Sequence, residues 1–581
     1  MACISTFGSS SFKTSLFWAE RNFIAAVASS PSSNVTEDHM PQLVPGWCAP
    51  LPFKTEFHKD PCYLSKSAKN MEKVRIMLSQ PKHKSNSVVM VDTLKKLGID
   101  HYFEEEISAI LDFSYNNMHK THKESDVGLT DTALQFKLLR EARYHVSSDV
   151  FQRFMDENRE FKQSLSKDVG GLVSLHEASF LNTGEEILYT ANDFTTKHLK
   201  LSVKHLGPSS GALLRHTLEH PHHMSLKQYK ARHYLTHVLS LTSNDASLSM
   251  QELARTEFQL NQQLYQDEFK KIKRWWSDLG LARELPFARD QILKWYLWSM
   301  TALPGPQFSK HRLELTKVIS FVYIIDDIFD IMGSAEELTL FTQTINSWED
   351  SSALPGYMRA CFIALKEVTG GIAQFVEQEY GLNPLNFLSK SWATLCNAFL
   401  LESRWFANKQ LPNAEEYLTN GITSSGVHMV MVHLLFLLGH SVTNETVHII
   451  EGNSALVSCT AKILRLWDDL GSAMDENQEG FDGSYVECYM KDNPSCSLDA
   501  AKLHTKKLIS KSWEELNKEY FFNTSVSPYF KEASLNCARM VSVMYNYDEE
   551  QQLPMMNDYI QNLLFGGITR TAETNSHSIS C

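Results

Sequence analysis

No CxxC pair occurs among the ten cysteines of this 581-residue chain, and no Cys/His pattern has zinc spacing. Reduced thiols are therefore the expected state, and a zinc site is not expected. Positive charge is also short. A formal net charge of -13 argues against nucleic acid or an anionic membrane as the main partner, since both reward a basic face. Long apolar runs are missing too. The longest, VMVHLLFLLG at residues 430–439, is too short to span a bilayer and carries His433, so no transmembrane segment is expected. Strand-like alternation is scarce, and neither a short-period repeat nor a βαβ rhythm is found.

What remains is a packed, helix-rich protein. Hydrophobic residues make up 43% and aromatics 11%, enough to line an apolar cavity with rings. The length exceeds one compact core, so two domains are expected. After VPGWCAPLPF, apolar residues recur at three and four spacing with short breaks, which predicts an all-α protein of two helical domains. The polar stretch LTSNDASLS at 241–249 marks the boundary, giving an N-terminal domain over 46–250 and a C-terminal, catalytic domain over 251–566. Residues 1–45 read as a transit peptide or a disordered tail. The first 36 are rich in Ser and Thr, and Glu20 is their only acid. Residues 567–581 read as a disordered tail. The stretch EHPHHMS, with His220, His222 and His223 around Pro221, reads as a solvated turn rather than a metal site, because adjacent histidines cannot share a helix face.

Within FVYIIDDIFD, residues 321–330, three aspartates interrupt an apolar run. On a helix Asp326 and Asp330 lie about 40° and roughly 6 Å apart on one face, while Asp327 points elsewhere. Ile324, Ile325, Ile328 and Phe329 around them predict burial rather than a solvated acidic face. Carboxylates crowded in this way need cations, and oxygen-only ligands favour Mg2+ or Mn2+. Downstream, in RLWDDLGSAMDE, Asp468, Ser472 and Glu476 recur at i, i+4 and i+8, over an arc of about 80°. The longest of the three leans back toward the others, so one ion could be gripped by all. Two such helices suggest metal ions holding a polyanion such as diphosphate. Arg465 lies three residues before Asp468, and Arg289 opens RDQILKWYLW. Each is either a surface arginine or a bidentate phosphate ligand.

The order DDIFD, then DDLGSAMDE about 140 residues later, on an all-helical chain, resembles a plant class I terpene synthase over nearly everything after residue 46. That resemblance implies a C-terminal class I terpenoid synthase helical bundle and an N-terminal α-barrel-like helical domain. It also implies three Mg2+ ions: Asp326, Asp327 and Asp330 hold two of them, Asp468, Ser472 and Glu476 the third. Arg289 and Arg465 hold the diphosphate. Where many members have an RxR pair, this chain reads RDQ, with Gln291 in the second place. No RR dipeptide occurs, so the tandem-arginine motif of many cyclising members is absent, and there is no DxDD motif for protonation-initiated cyclisation. With the wording FARDQILKWYLWSM, these features are similar to the subfamily that makes acyclic tertiary alcohols: linalool from geranyl diphosphate and nerolidol from farnesyl diphosphate. A chain-elongating prenyltransferase would need a second DDxxD.

The implied chemistry places charge stabilisation at the leaving diphosphate and aromatic faces around the allylic cation. Trp298, Tyr323 and Phe329 are the candidates. Each is otherwise plain core. Ser424, Ser425 and Gly426, in NGITSSGV, are candidates for a helix break facing the cation, against an ordinary loop. NYDEEQQ at 546–552 resembles a loop that closes over the site. Water must still reach the tertiary carbon. A monomer is expected, in the plastid if the leader directs import and in the cytosol otherwise.

Overall fold

The structure, a computed structural model, describes residues 61–79, 84–121, 127–238, 245–349, 351–439, 442–443, 446–447, 454–472, 483–545 and 553–566. Among them the chain is helical throughout, as expected. Among the described residues the one strand-like pairing is an isolated bridge between Met155 and Phe161. The leader, the tail after 566, the 546–552 stretch and Glu476 lie outside the described residues.

By contacts the described residues separate into two units, one built on those within 61–266 and 553–566, the other on those within 267–545. The change-over falls inside one helix, Asp245–Leu279, and not at the polar stretch where composition changes. The helical turns after residue 553 group with the first unit, although their sequence position suggested the second. There Gln262 Nε2 donates to the Leu563 carbonyl and Tyr229 Oη donates to Asp558. The His220–His223 stretch is a turn, but it is not solvated: His222 and His223 are buried, and the His222 backbone N–H donates to the Glu177 carboxylate at 2.8 Å. Pro221 marks the turn, and the satisfied amide removes the main cost of burying it.

The second unit carries the candidate site on seven helical stretches: α1 (Ile292–Ala302), α2 (Ser309–Asp327), α3 (Leu385–Ala407), α4 (Ala414–Ser424), α5 (Val427–Leu438), α6 (Ala455–Ser472) and α7 (Pro528–Tyr545). Packing pairs α1 with α2 and α7, α3 with α4 and α5, and α6 with α4, α5 and α7, which encloses a hollow. The apolar run of α5 belongs to this core. Together α4 and α5 are long and apolar enough to cross a membrane by composition alone, yet 78% of that window is buried inside the protein.

A fully buried ion pair fastens α2 to the long helix Asp245–Leu279, and α1 joins it through a tyrosine hydroxyl. Arg312 donates to Glu268 at 2.8 and 2.5 Å, Tyr296 Oη donates to the same carboxylate, and Arg312 also donates to the carbonyls of Leu303 and Gly305. Removing one partner would strand a charge in the core, at a cost of ~3–5 kcal/mol.

Candidate active site

The helix that carries the first aspartate motif does not stay α-helical through it. α2 ends at Asp327, and Ile328–Met332 form a π-helical turn closed by the Gly333 amide on the Ile328 carbonyl. Wide turns of this kind recur at functional sites because they re-aim side chains out of regular register. Ile324, Ile325, Ile328 and Phe329 are buried, as their pattern predicts.

Asp326 and Asp330 both line the hollow, and so does Asp468 from α6. The two acidic segments therefore face one cavity. Arg289, Arg465, Trp298, Tyr323, Ser424, Ser425 and Gly426 line it as well. Two sequence candidates do not. Phe329 packs between Phe341 and Phe399, with ring centroids 6.3 and 5.5 Å away. Asp327 turns toward the start of α1, where its carboxylate accepts the Arg289 backbone N–H at 2.7 Å and lies 2.6 Å from Arg289 Nε. The side chain of Ser472, like Glu476, lies outside the described residues.

Electrostatics in the hollow are dominated by crowded acids. Burial and then repulsion from Asp326 push the Asp330 carboxyl well above the ordinary range. Asp468 is raised by burial, with Arg465 and Lys294 opposing. Carboxylates that resist ionising together are a donor set for cations. Among the described residues no three His, Cys, Asp or Glu side chains converge into a closed site.

The cations in the wall are held in place. Arg289 Nη2 donates to Asp326 at 2.5 Å, and its guanidinium stacks 5.2 Å from the Tyr323 ring. Burial disfavours its charge, but Asp326 and Asp327 more than offset this and keep it protonated. Arg465 donates to Glu402 at 2.9 Å, sits 5.3 Å from the Tyr417 ring and has Asp468 at 3.9 Å. Glu402 was not singled out from sequence. Its Oε1 also accepts from Ser424 Oγ at 2.6 Å and Asn420 at 3.2 Å, so one carboxylate ties α3, α4 and α6 together. Its signal was an acid in the apolar run AFLLESRWF. Asp469, next to Asp468, faces away from the hollow. It accepts from Tyr417 Oη and the Tyr485 amide, and burial lifts it to about 7. Lys294, Phe399, Phe406 and Tyr545 complete the wall unannounced.

The break between α4 and α5 lies where NGITSSGV places it. Ser425 Oγ donates to the Ile422 carbonyl, and Gly426 has φ +75°. A Cβ on Gly426 would lie 2.7 Å from Val322 Cγ1, so both backbone and space require glycine. Trp298 Nε1 donates to Tyr323 Oη at 3.1 Å, tying α1 to α2 in the wall. The hollow is thus charged at one end and aromatic and aliphatic elsewhere, with Leu315, Ile319, Val430, Met431 and Leu434 in its walls.

Comparison with known proteins agrees with this architecture. Residues 277–515 match the model described as terpene synthase family, metal binding domain, and residues 51–220 match terpene synthase, N-terminal domain. An (E)-nerolidol synthase of Cannabis sativa is 44% identical over 85% of this chain and 91% of its own. An S-(+)-linalool synthase, chloroplastic, of Arabidopsis thaliana is 39% identical over 85% of this chain and 87% of its own. The crystal structure of isoprene synthase from grey poplar leaves, in complex with three Mg2+ ions and dimethylallyl-S-thiolodiphosphate, superposes with a TM-score of 0.82 at 32% identity. That match covers 88% of this chain and 98% of that one.

Proposed function

Because the chain belongs to the plant terpene synthase family in both of its domains, we propose that it ionises an allylic prenyl diphosphate and admits one water to give an acyclic tertiary alcohol. The substrate is geranyl diphosphate, giving linalool, or farnesyl diphosphate, giving nerolidol. The observation that carries this reading is the single hollow in which Asp326, Asp330 and Asp468 from two helices meet Arg289 and Arg465 at one end of an aromatic cavity. Relatives named for nerolidol and linalool support the acyclic outcome.

In this reading Asp326 and Asp330 hold two Mg2+ or Mn2+ ions, and Asp468, Ser472 and Glu476 hold a third. Such ions, when bound, neutralise charge on the diphosphate as its bond to carbon breaks. Arg289 and Arg465 orient the diphosphate oxygens, and Asp327, Asp326 and Glu402 hold those two guanidiniums in place. Trp298 and Tyr323 offer ring faces to the allylic cation, worth ~1–2 kcal/mol each in a desolvated site. Ser424, Ser425 and Gly426 line the same space, where irregular backbone leaves polar groups that a regular helix would consume. The rest of the wall keeps bulk water out.

The purified protein with geranyl diphosphate, Mg2+ and 18O-labelled water is expected to give labelled linalool, and with farnesyl diphosphate labelled nerolidol. Unlabelled alcohol would remove the water-capture step. Olefins as the main products would shift the reading to an olefin-forming synthase, an outcome the isoprene synthase likeness keeps in view. Consumption of added isopentenyl diphosphate would point to chain elongation instead. We further propose that the protein acts as a monomer and is imported into plastids, as the chloroplastic names of relatives suggest. Sedimentation of the purified protein reads the first, and a fluorescent fusion of the first 50 residues that stayed cytosolic would refute the second.

A further inference from the structure

The depth of the hollow can be read off the helices around it. Asp326, Tyr323, Ile319 and Leu315 descend α2 in steps of three and four residues, and all of them line the hollow. From position 326 to position 315 a helix rises about 16 Å, at ~1.5 Å per residue. Neighbouring helices mark the same levels. Near the charged end Trp298 of α1 donates to Tyr323 Oη, and the Tyr545 ring of α7 lies 6.5 Å from the Trp298 ring. At the far end Thr316 donates to Ser299 Oγ at 3.0 Å, Arg312 to the Leu303 carbonyl at 2.8 Å, and Asn536 Nδ2 to the Ala302 carbonyl at 3.5 Å. Ala302, Leu315 and Cys537 therefore form the floor of the hollow, each from a different helix.

We infer that the hollow is built to the length of a farnesyl chain, and that Ala302 and Cys537 are the residues that set this length. The inference rests on the proposed function and says which of its two substrates fills the site. Each isoprene unit adds four bonds along the chain, about 5 Å at ordinary bond lengths and angles. Two units hung from a diphosphate at Asp326 and Arg289 reach about 10 Å down, to the level of Ile319. Three units reach the floor at Leu315. Apolar walls with nothing against them forfeit their contacts, so the third unit adds affinity that a geranyl chain cannot supply.

Small side chains keep that lowest level open. Ala302 presents a single methyl group, and Cys537 one sulfur beyond its Cβ. Burial pushes the Cys537 thiol up to about 12, so it stays uncharged and suits a hydrocarbon neighbour. The backbone beneath cannot sink to make room for anything larger. The carbonyl after Ala302, that of Leu303, is held by Arg312, which is itself locked to Glu268 at 2.5 Å with both side chains fully buried. In surroundings packed this closely, a bigger residue at 302 or 537 projects into the hollow and takes the space of the last isoprene unit.

The test uses the full chain with Mg2+ and the geranyl and farnesyl S-thiolodiphosphates, whose binding is read by calorimetry without turnover. In wild type the farnesyl analogue should bind about tenfold or more tightly than the geranyl one; equal or reversed affinities would overturn the inference. Ala302→Leu should weaken the farnesyl analogue by about 10- to 100-fold and the geranyl analogue by no more than about threefold, the scale of a misfit in a packed pocket. KM for the two diphosphates should follow the same split. Cys537→Leu, on a different helix, should repeat it, so that if thermal melting shows one variant to be misfolded the other still decides. A loss shared equally by both chain lengths, or none in either, would overturn the inference. Wild-type protein that binds both analogues but releases no terpene from either diphosphate would defeat the proposed function, and the order of the two affinities would still decide the length of the hollow.

Discussion

Asp327 is the residue at which the motif resemblance and the helix geometry disagree, and replacing it separates the two readings. Read as part of DDxxD it is a third acid for the metal ions. In the structure it faces Arg289 instead, accepting the backbone N–H at 2.7 Å and pairing with Nε at 2.6 Å. In Asp327→Asn the amide oxygen can keep the backbone bond, so the local chain path survives. What is lost is one of two carboxylates that hold the guanidinium, the other being Asp326 at 2.5 Å. The side chains are only 13% and 3% exposed, so solvent screening is slight and a charge-assisted bond of ~1.5–3 kcal/mol is at stake. If all of it is felt where Arg289 meets the diphosphate, kcat/KM falls by roughly 10- to 150-fold. The assay is kcat/KM measured across a Mg2+ titration for wild type, D327N and Asp330→Asn. D327N should lose activity at an unchanged half-saturating Mg2+ concentration, while D330N should need much more Mg2+. A tenfold or greater rise in the Mg2+ requirement of D327N would refute the positioning role.

Two further outcomes follow from geometry elsewhere. Gly426→Ala places a Cβ at 2.7 Å from Val322 in a left-handed residue, so a loss of ~1–3 kcal/mol of stability and a reshaped hollow are expected; a melting temperature and product profile like wild type would contradict this. In the first unit, the rings of His216 and His233 stack with centroids 3.4 Å apart, and burial holds them neutral, at about 2 and about 4. A base depressed in the folded state contributes stability that is lost as pH falls below its ordinary value of 6.5. Melting temperature should therefore drop between pH 7 and pH 5, and the double variant His216→Gln, His233→Gln should drop less. Equal slopes for the two proteins would refute this.

Much of the site was legible before any fold was known, because its chemistry demands residues that look wrong for their surroundings. Asp326 and Asp330 stand out because isoleucines flank them, and the NGITSSGV break announces itself through glycine and hydroxyls. Glu402 and Lys294 carry the same signal, a charge in an apolar helix, but only once each, and a single charge has no spacing to test. The turn at His222 misled for the opposite reason: polar residues suggested solvent, while Glu177, 45 residues earlier, supplies a buried partner.

Composition and periodicity by themselves determined that the chain is helical and that two acid-bearing segments are buried, since a 3.6-residue repeat and an apolar neighbourhood are local properties. Tertiary structure alone decided what each acid meets. The pairing of Asp327 with Arg289, 38 residues earlier in the chain, holds that carboxylate away from the hollow that Asp326 and Asp330 line, the latter from the π-turn over Ile328–Met332. A side chain's partner depends on what folds against it, and that contact is written nowhere in the spacing of a single helix.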